Sequence, residues 1–196
     1  MSAADAPRAA AFDLTTVAVE IEEHADAGGW DQPPRLYALV DTAELAAREP
    51  TLAASLGAAA ALTPIEQEAL PDGDLADVLA GIAWPDDVRG CALVNEIVML
   101  PPSVSDAVPD DAAAAAFVAA HPERREARLC VAVLRDGSRA ACLRLRGATT
   151  REDKVLTGAD LVPNLAAALL QTLDPVPHDA EPYAAADASA DDGQPG

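Results

Sequence analysis

The chain has 196 residues, 51% of them apolar, and a net charge of −20 from 33 Asp and Glu against 13 Lys and Arg. That charge repels nucleic acid and anionic lipid, which are held by cations that displace counterions, and favours solubility and, at most, a basic partner. The odd count of 3 cysteines, a start Met1–Arg8 without a basic stretch or an apolar run, and the lack of an 18-residue apolar run argue against a disulfide framework, a signal peptide and a membrane span, so a cytoplasmic protein is expected.

Residues 1–9 read as a flexible N-terminus. Asp13 is then placed to cap a helix with Leu14, Val17, Ala18, Ile21 and Ala25 on one stripe and Glu20, Glu22 and Glu23 outside. Gly28-Gly29 stops it. Past Trp30 and the Pro33-Pro34 corner, Leu36 to Val40 predicts a strand. Asp41-Thr42-Ala43-Glu44 resembles a capping box opening a helix that runs to Arg48. Pro50 interrupts, and the Ala-rich residues 51–61 are compatible with more helix. Thr63 to Glu68, containing Pro64, reads as an edge strand, because a proline in a central strand forfeits a ladder hydrogen bond.

Asp72 to Asp74 form a turn and cap before a short helix with Leu75, Val78, Leu79 and Ile82. A second tryptophan corner at Trp84 leads into a strand from Cys91 to Leu100. Residues 103–109 read as a loop, and Asp110 or Asp111 as the cap of an Ala-rich helix with Phe117 and Val118 that ends near His121-Pro122. Asp136-Gly137 between two runs of strand formers predicts a hairpin over about 127–146. A two-residue loop would mix Val131 and Val133 with Arg144 on one face. A three-residue loop, with Gly137 in the left-handed region, pairs Leu134 with Ser138. It collects Leu129, Val131, Val133, Ala141, Leu143 and Leu145 on one face, sends Arg144 and Arg146 to the other, and sets Cys130 opposite Cys142; this register is preferred. The connection 147–158 carries no clear signal. Asp160 is expected to cap a last helix with Leu161, Leu165, Ala168, Leu169 and Leu173. The stretch 175–196 is acidic and proline-rich, without Lys or Arg, and reads as a disordered tail.

The expected organisation is one α+β domain over 10–174, an antiparallel or mixed sheet covered by amphipathic helices. Phe, Trp and Tyr number only 2 each, so the core rests on many close contacts among Ala, Val and Leu.

Candidate functional residues are few. Trp30-x4-Arg35-x2-Ala38-Leu39-Val40 and Trp84-x4-Arg89-x2-Ala92-Leu93-Val94 echo one another and suggest one helix–loop–strand unit used twice. Two tryptophan corners flanked by Arg35 and Arg89 are candidates for a recognition surface, but large aromatics at element junctions are mostly packing. The hairpin is a local reversal of sign. Arg128, Arg144 and Arg146 belong to a basic run that either docks an acidic peptide, including the protein's own tail, or forms a sheet face paired with acidic helices; the second reading is favoured.

Cys130 and Cys142, lacking a CxxC spacing or a nearby His pair, read as buried apolar residues and not as a metal or redox site. Glu20 and His24 share a helical face without further ligands, and Asp72, Asp74 and Asp77 lack the calcium-loop pattern. No phosphate-binding, zinc-protease or nucleophile-elbow motif is present, so no cofactor or metal is called for and a non-enzymatic role is preferred.

The blocks Gly29 through Val40, Leu62-Thr63-Pro64-Ile65-Glu66-Gln67-Glu68, Trp84-Pro85 with Gly90-Cys91-Ala92-Leu93-Val94, His121-Pro122, Leu134-Arg135-Asp136-Gly137 and Asp160-Leu161-Val162-Pro163 resemble a family of small uncharacterised actinobacterial proteins. The resemblance spans about residues 10–174 and implies no activity, cofactor or catalytic residue. The functional expectation is therefore a cytoplasmic protein-binding domain of adaptor or chaperone-like type. A small-molecule sensor or hydrolase with its pocket near Trp30 and Trp84, and a self-assembling structural protein, are the alternatives.

Overall fold

The computed structural model describes residues 13–53, 60–105, 108–109, 113–147 and 155–174. Helix α1 (Leu14–Asp26) starts where the Asp13 carboxylate accepts the Thr16 backbone N–H at 3.2 Å, and it buries Leu14, Ala18, Ile21 and Ala25 at helical spacing. The chain turns at Gly29 (φ 81°) and Asp31 (φ 65°) into strand β1 (Arg35–Asp41). Asp41 caps α2 (Thr42–Arg48) by accepting from the N–H groups of Ala43 and Glu44. The short helix α3 (Pro50–Ala53) precedes strand β2 (Leu62–Glu66). Asp74 caps α4 (Leu75–Ala80), and β3 (Val88–Met99) follows. Then come α5 (Pro102–Ser105), α6 (Ala114–Ala120), β4 (Arg125–Leu134), β5 (Arg139–Leu145), β6 (Val155–Gly158) and α7 (Pro163–Thr172).

The strands form a 6-stranded sheet in the order β2-β1-β3-β4-β5-β6, antiparallel at every pairing, which resolves the antiparallel-or-mixed expectation. Because β2 and β3 both oppose β1, they run parallel to each other, and α4 lies on the crossover between them. Side chains alternate between two cores. On one face, Leu36, Cys91, Leu93, Leu129, Val131, Val133 and Leu143 pack with Leu79 of α4 and Ala166 and Leu169 of α7. On the other, Tyr37, Leu39, Ala92, Val94, Cys130, Ala132 and Cys142 pack under α1. The result is helix, sheet and helix in three layers, an α+β fold.

The hairpin takes the three-residue loop. Leu134 N–H donates to Ser138 O and Gly137 N–H to Leu134 O, both at 2.9 Å, with Gly137 at φ 86°. Leu134 thus pairs with Ser138 and Cys130 lies across from Cys142, as the apolar-face argument expects. Gly90 sits where β3 meets both neighbours. A Cβ there would lie 2.2 Å from Val133 O, so β4 approaches β3 over a position with no side chain.

Several expectations are corrected. Glu22, read as an outer residue of α1, is fully buried. Residues expected to be loop form α5, and the featureless connection contains β6. Asp160 does not cap α7: the helix begins with Pro163 after Val162, and Asp160 instead pairs with Arg139 at 2.7 Å. The expected caps Asp110 and Asp111, the N-terminal residues 1–9 and the tail 175–196 lie outside the described residues. The two tryptophan-led units do lie side by side as β1 and β3. Their helices α1 and α4, however, cover opposite faces, and Tyr37, Ala38 and Leu39 point opposite ways from their counterparts Cys91, Ala92 and Leu93.

Candidate functional site

The hairpin register directs Arg128, Arg144 and Arg146 toward the α1 side of the sheet, where α1 brings acids to meet them. Arg128, 1% exposed, reaches Glu22 Oε1 (3.4 Å), Asp26 Oδ1 (3.0 Å) and Glu96 Oε1 (3.3 Å), and donates to the Gly29 carbonyl. Arg144 forks onto the same Glu22, Nε to Oε1 at 2.6 Å and Nη2 to Oε2 at 2.5 Å. That carboxylate holds the Arg144 guanidinium above its ordinary pKa, an effect only partly opposed by burial. Arg146 binds Asp31 through both carboxylate oxygens at 2.9 Å and Glu126 at 2.7 Å. Trp30 lies beneath this group, its ring centroid 4.4 Å from the Arg128 guanidinium carbon and 5.3 Å from that of Arg146.

Every arginine in the group is thus charge-compensated from within the chain. Glu96 also accepts the backbone N–H of Asp31 at 2.9 Å, which fastens the left-handed residue of the corner.

The second tryptophan belongs to the opposite face. Trp84 Nε1 donates to Thr172 Oγ1 at 2.9 Å and packs beside α4 and α7. Arg135, at the hairpin loop, gathers the chain around it. Its Nε donates to Val88 O at 2.8 Å, and its other nitrogens donate to the carbonyls of Leu173, Trp84 and Pro85. A cation at the C-terminus of α7 also meets the favourable end of the helix dipole. Trp30 and Trp84, candidates for one surface in the sequence, therefore serve opposite sides of the sheet. Arg89 pairs with Glu44 on the exposed surface.

Arg35 occupies a third environment, beside Glu66 (3.8 Å) and donating to Gln32 Oε1 at 3.0 Å. Two hollows adjoin there. One, of about 260 Å³, is lined by Glu20, Ile21, His24, Tyr37, Pro64 and Glu66. Another, of about 210 Å³, lies between the Pro33-Pro34 corner and Glu66 to Ala69. A further hollow of about 270 Å³ lies by Arg135 and Leu173. All three fall below the roughly 300–1,000 Å³ of small-molecule pockets. Burial is the main effect raising the Tyr37 phenol pKa, and the hydroxyl lies 3.4 Å from Glu66 Oε2.

The three thiols are buried and free. Burial pushes Cys91 up to about 11, while contact with Cys142, followed by burial, raises Cys130 well above the thiol range. Both shifts disfavour the thiolate. Among the described residues no group of three or more His, Cys, Asp or Glu is placed to hold a metal, and no helix is long and apolar enough to cross a membrane.

A family model described as PPA1309-like protein matches residues 14–174. The chain belongs to that family. The match runs from the first residue of α1 to just past α7, so the whole described architecture falls within the family's extent. No curated protein and no solved structure matches the chain. The blocks singled out in the sequence fall mainly at junctions of this fold: the Trp30 corner over the arginines, Pro64 on the sheet edge, Gly90 under β4, the Gly137 loop and Pro163 at the start of α7.

Sequence reasoning did not reach Glu22, Asp26 and Glu96 as partners of the arginines, or Arg135 as a clamp. A signal for the first was present. A hairpin register that sends Arg144 to a sheet face demands a carboxylate from whatever helix covers that face, and α1 is the most acidic candidate.

Proposed function

We propose that this protein is a non-enzymatic, cytoplasmic protein-binding domain, adaptor-like in role, that accepts a partner strand at the β6 edge of its sheet. The observation that supports this reading is a difference between the two edges. In β2, the Gln67 N–H donates to Leu36 O, and the alternation of an antiparallel ladder then turns the Pro64 nitrogen outward, where it offers no donor. In β6 no proline intervenes. The Arg146 N–H donates to Glu126 O, so the alternation directs Ala141 and Leu143 toward β6 and turns the backbone of Val155 and Thr157 outward.

Beside that open edge, Leu156 is 51% exposed and Leu161 40%. Among the described residues no further strand pairs with that edge, and a strand edge next to exposed leucines suits strand addition, in which backbone bonds give affinity and alternate side chains give selectivity. The test is affinity capture from the native host with wild type, Leu156→Asp and Thr157→Pro. Loss of the same partner in both variants, with the fold intact by circular dichroism, supports the reading. Retention in both overturns it.

The same edge favours a second reading, self-association. The sequence Val155-Leu156-Thr157 is self-complementary: a two-fold pairing that joins Val155 to Thr157 of another copy sets Leu156 against its own counterpart. Sedimentation velocity across concentration separates the two, since only self-association shifts the wild-type boundary and loses that shift in Leu156→Asp.

A further inference from the structure

The β6 edge has two unlike sides, and the difference describes what a strand laid there must carry. Leu156 lies across from Leu143, so it projects on the α7 side of the sheet. Gly158 lies across from Ala141 on that same side, and a Cβ built on Gly158 would lie 3.4 Å from Leu161 Cγ. Leu161 therefore folds over the bare backbone of Gly158. Leu156 and Leu161, both exposed, form an apolar ledge along the α7 side of the edge. The α1 side differs in kind. There Val155 is half-buried against the core beneath α1, and Thr157, across from Cys142, is an exposed hydroxyl residue.

We propose that the occupant of this edge is a partner segment with one large apolar residue between two β-branched or hydroxyl residues, flanked by lysine or arginine. The proposal rests on the strand-addition reading and specifies its partner. The backbone of Val155 and Thr157 faces outward, so a strand continuing the antiparallel order bonds to those two residues. The residue between its two bonded positions then faces Leu156 in a non-hydrogen-bonded pair, the kind in which opposed side chains come closest. Its side chain lies on the α7 side, against Leu156 and Leu161. Its two neighbours point to the α1 side, opposite Val155 and Thr157, where β-branched and hydroxyl residues pair well. Charge selects the flanks. The chain carries −20, and such a field draws in a basic segment and repels an acidic one. The same field disfavours a second copy as the occupant. Val155-Leu156-Thr157 has the required alternation, yet each copy brings −20 to the other.

The test follows the amide NMR signals of isotope-labelled full-length protein on titration with three capped peptides. These are Lys-Lys-Thr-Leu-Thr-Lys-Lys, the same peptide with asparagine in place of leucine, and Glu-Glu-Thr-Leu-Thr-Glu-Glu. The first is expected to move the signals of residues 155–161. The asparagine peptide should bind about tenfold more weakly, the affinity equivalent of one buried leucine side chain. The glutamate peptide should also bind more weakly than the first, and added salt should narrow that gap. Leu161→Ser should reduce the preference for leucine over asparagine, and Thr157→Pro should abolish the shifts from all three. If Leu161→Ser disturbs the native spectrum, the comparison of peptides on the wild type decides alone.

Equal affinity for the leucine and asparagine peptides, with both lost in Thr157→Pro, would overturn the apolar requirement and leave strand addition standing. Equal affinity for the lysine and glutamate peptides would overturn the choice of a basic segment over a second copy. Shifts at residues 155–161 that survive Thr157→Pro would show that the contact is not strand pairing, and the failure would then lie in the underlying reading. No shift there with any peptide would sink both.

Discussion

Arg128 in the middle of β4 and Glu22 on α1 are both buried, at 1% and 0% exposure, and meet at 3.4 Å. Neither charge has access to water: Glu22 is met by Arg128 and by the fork from Arg144, and Arg128 is met also by Asp26, Glu96 and the Gly29 carbonyl. Glu22→Leu takes away the carboxylate that Arg128 and Arg144 share, leaving Arg128 on Asp26, Glu96 and the Gly29 carbonyl and Arg144 on Asp26 at 3.6 Å, and should destabilise the protein by about 3 kcal/mol, the lower end of the cost of breaking a buried pair from one side. Glu22→Leu/Arg128→Leu removes both charges and should recover part of that loss, because buried ion pairs are worth little against apolar packing of similar volume. Urea unfolding of the wild type, both single variants and the double variant gives the coupling directly. A double variant no more stable than Glu22→Leu would show that Arg128 is satisfied without Glu22.

Two glycines should differ sharply when changed to alanine. At Gly90 the new methyl would lie 2.2 Å from the Val133 carbonyl, a contact with backbone that cannot be relieved without parting β3 from β4. The expected cost is about 3 kcal/mol or more, typical of overpacking with backbone displacement. At Gly137 nothing lies within 4 Å of the added atom, and the penalty comes only from φ 86°. That should cost about 1 kcal/mol. Equal losses at the two sites, measured by thermal or urea unfolding, would contradict the close approach at Gly90.

The sequence made the apolar periods and turn chemistry readable, and those gave most elements and the hairpin register. Leu129, Val131 and Val133 alternate cleanly, and Gly137 allows only one loop that keeps their face apolar. Glu22 was misplaced because a helical stripe is judged by apolarity, and a buried acid is indistinguishable from a surface one until its partners are known. Here those partners come from more than 100 positions away in sequence, on β4 and β5. Strand β6 escaped because 4 residues beside an apolar leucine carry too little pattern, and its pairing is decided by β5. The tryptophan echo was legible as an order of elements, but the side each helix takes depends on the crossover through α4, which local spacing does not encode. Of the candidate site, Arg35 was visible, whereas the hollow beside it needs α1 and β2 brought together.

The thiols should be silent in the native state. Cys91, Cys130 and Cys142 are each fully buried, and burial raises Cys91 to about 11, so at pH 8 it is a protonated thiol with no path for a reagent. Cys130 is shifted in the same direction, first by its contact with Cys142 and then by burial. Ellman's reagent at pH 8 should label none of them on the time scale of minutes, and all 3 after denaturation. Rapid labelling of Cys142 in the folded protein would mean that α1 lifts from it, since its Sγ lies 3.4 Å from Ala18 O, and labelling of Cys91 would instead place α7 among locally opening elements.

Asp31 should leave a signature in acid. Its hydrogen bonds from Arg146 lower its carboxyl pKa below the ordinary value, with burial opposing weakly. A carboxyl depressed on folding contributes stability that is present above its unfolded pKa, about 3.9, and is lost as pH falls through the lower folded value. Asp31→Asn keeps a residue that accepts φ 65° and removes only the charge, so the Trp30 corner should retain its backbone. The variant should be less stable than wild type at pH 7. Its decline below about pH 4 should be shallower, and the two urea midpoints should draw together as the pH falls through the lowered folded value of the wild-type carboxyl. A constant gap between the curves from pH 7 to pH 2 would mean that Asp31 acts through its backbone conformation and that the ion pair to Arg146 adds nothing to the corner.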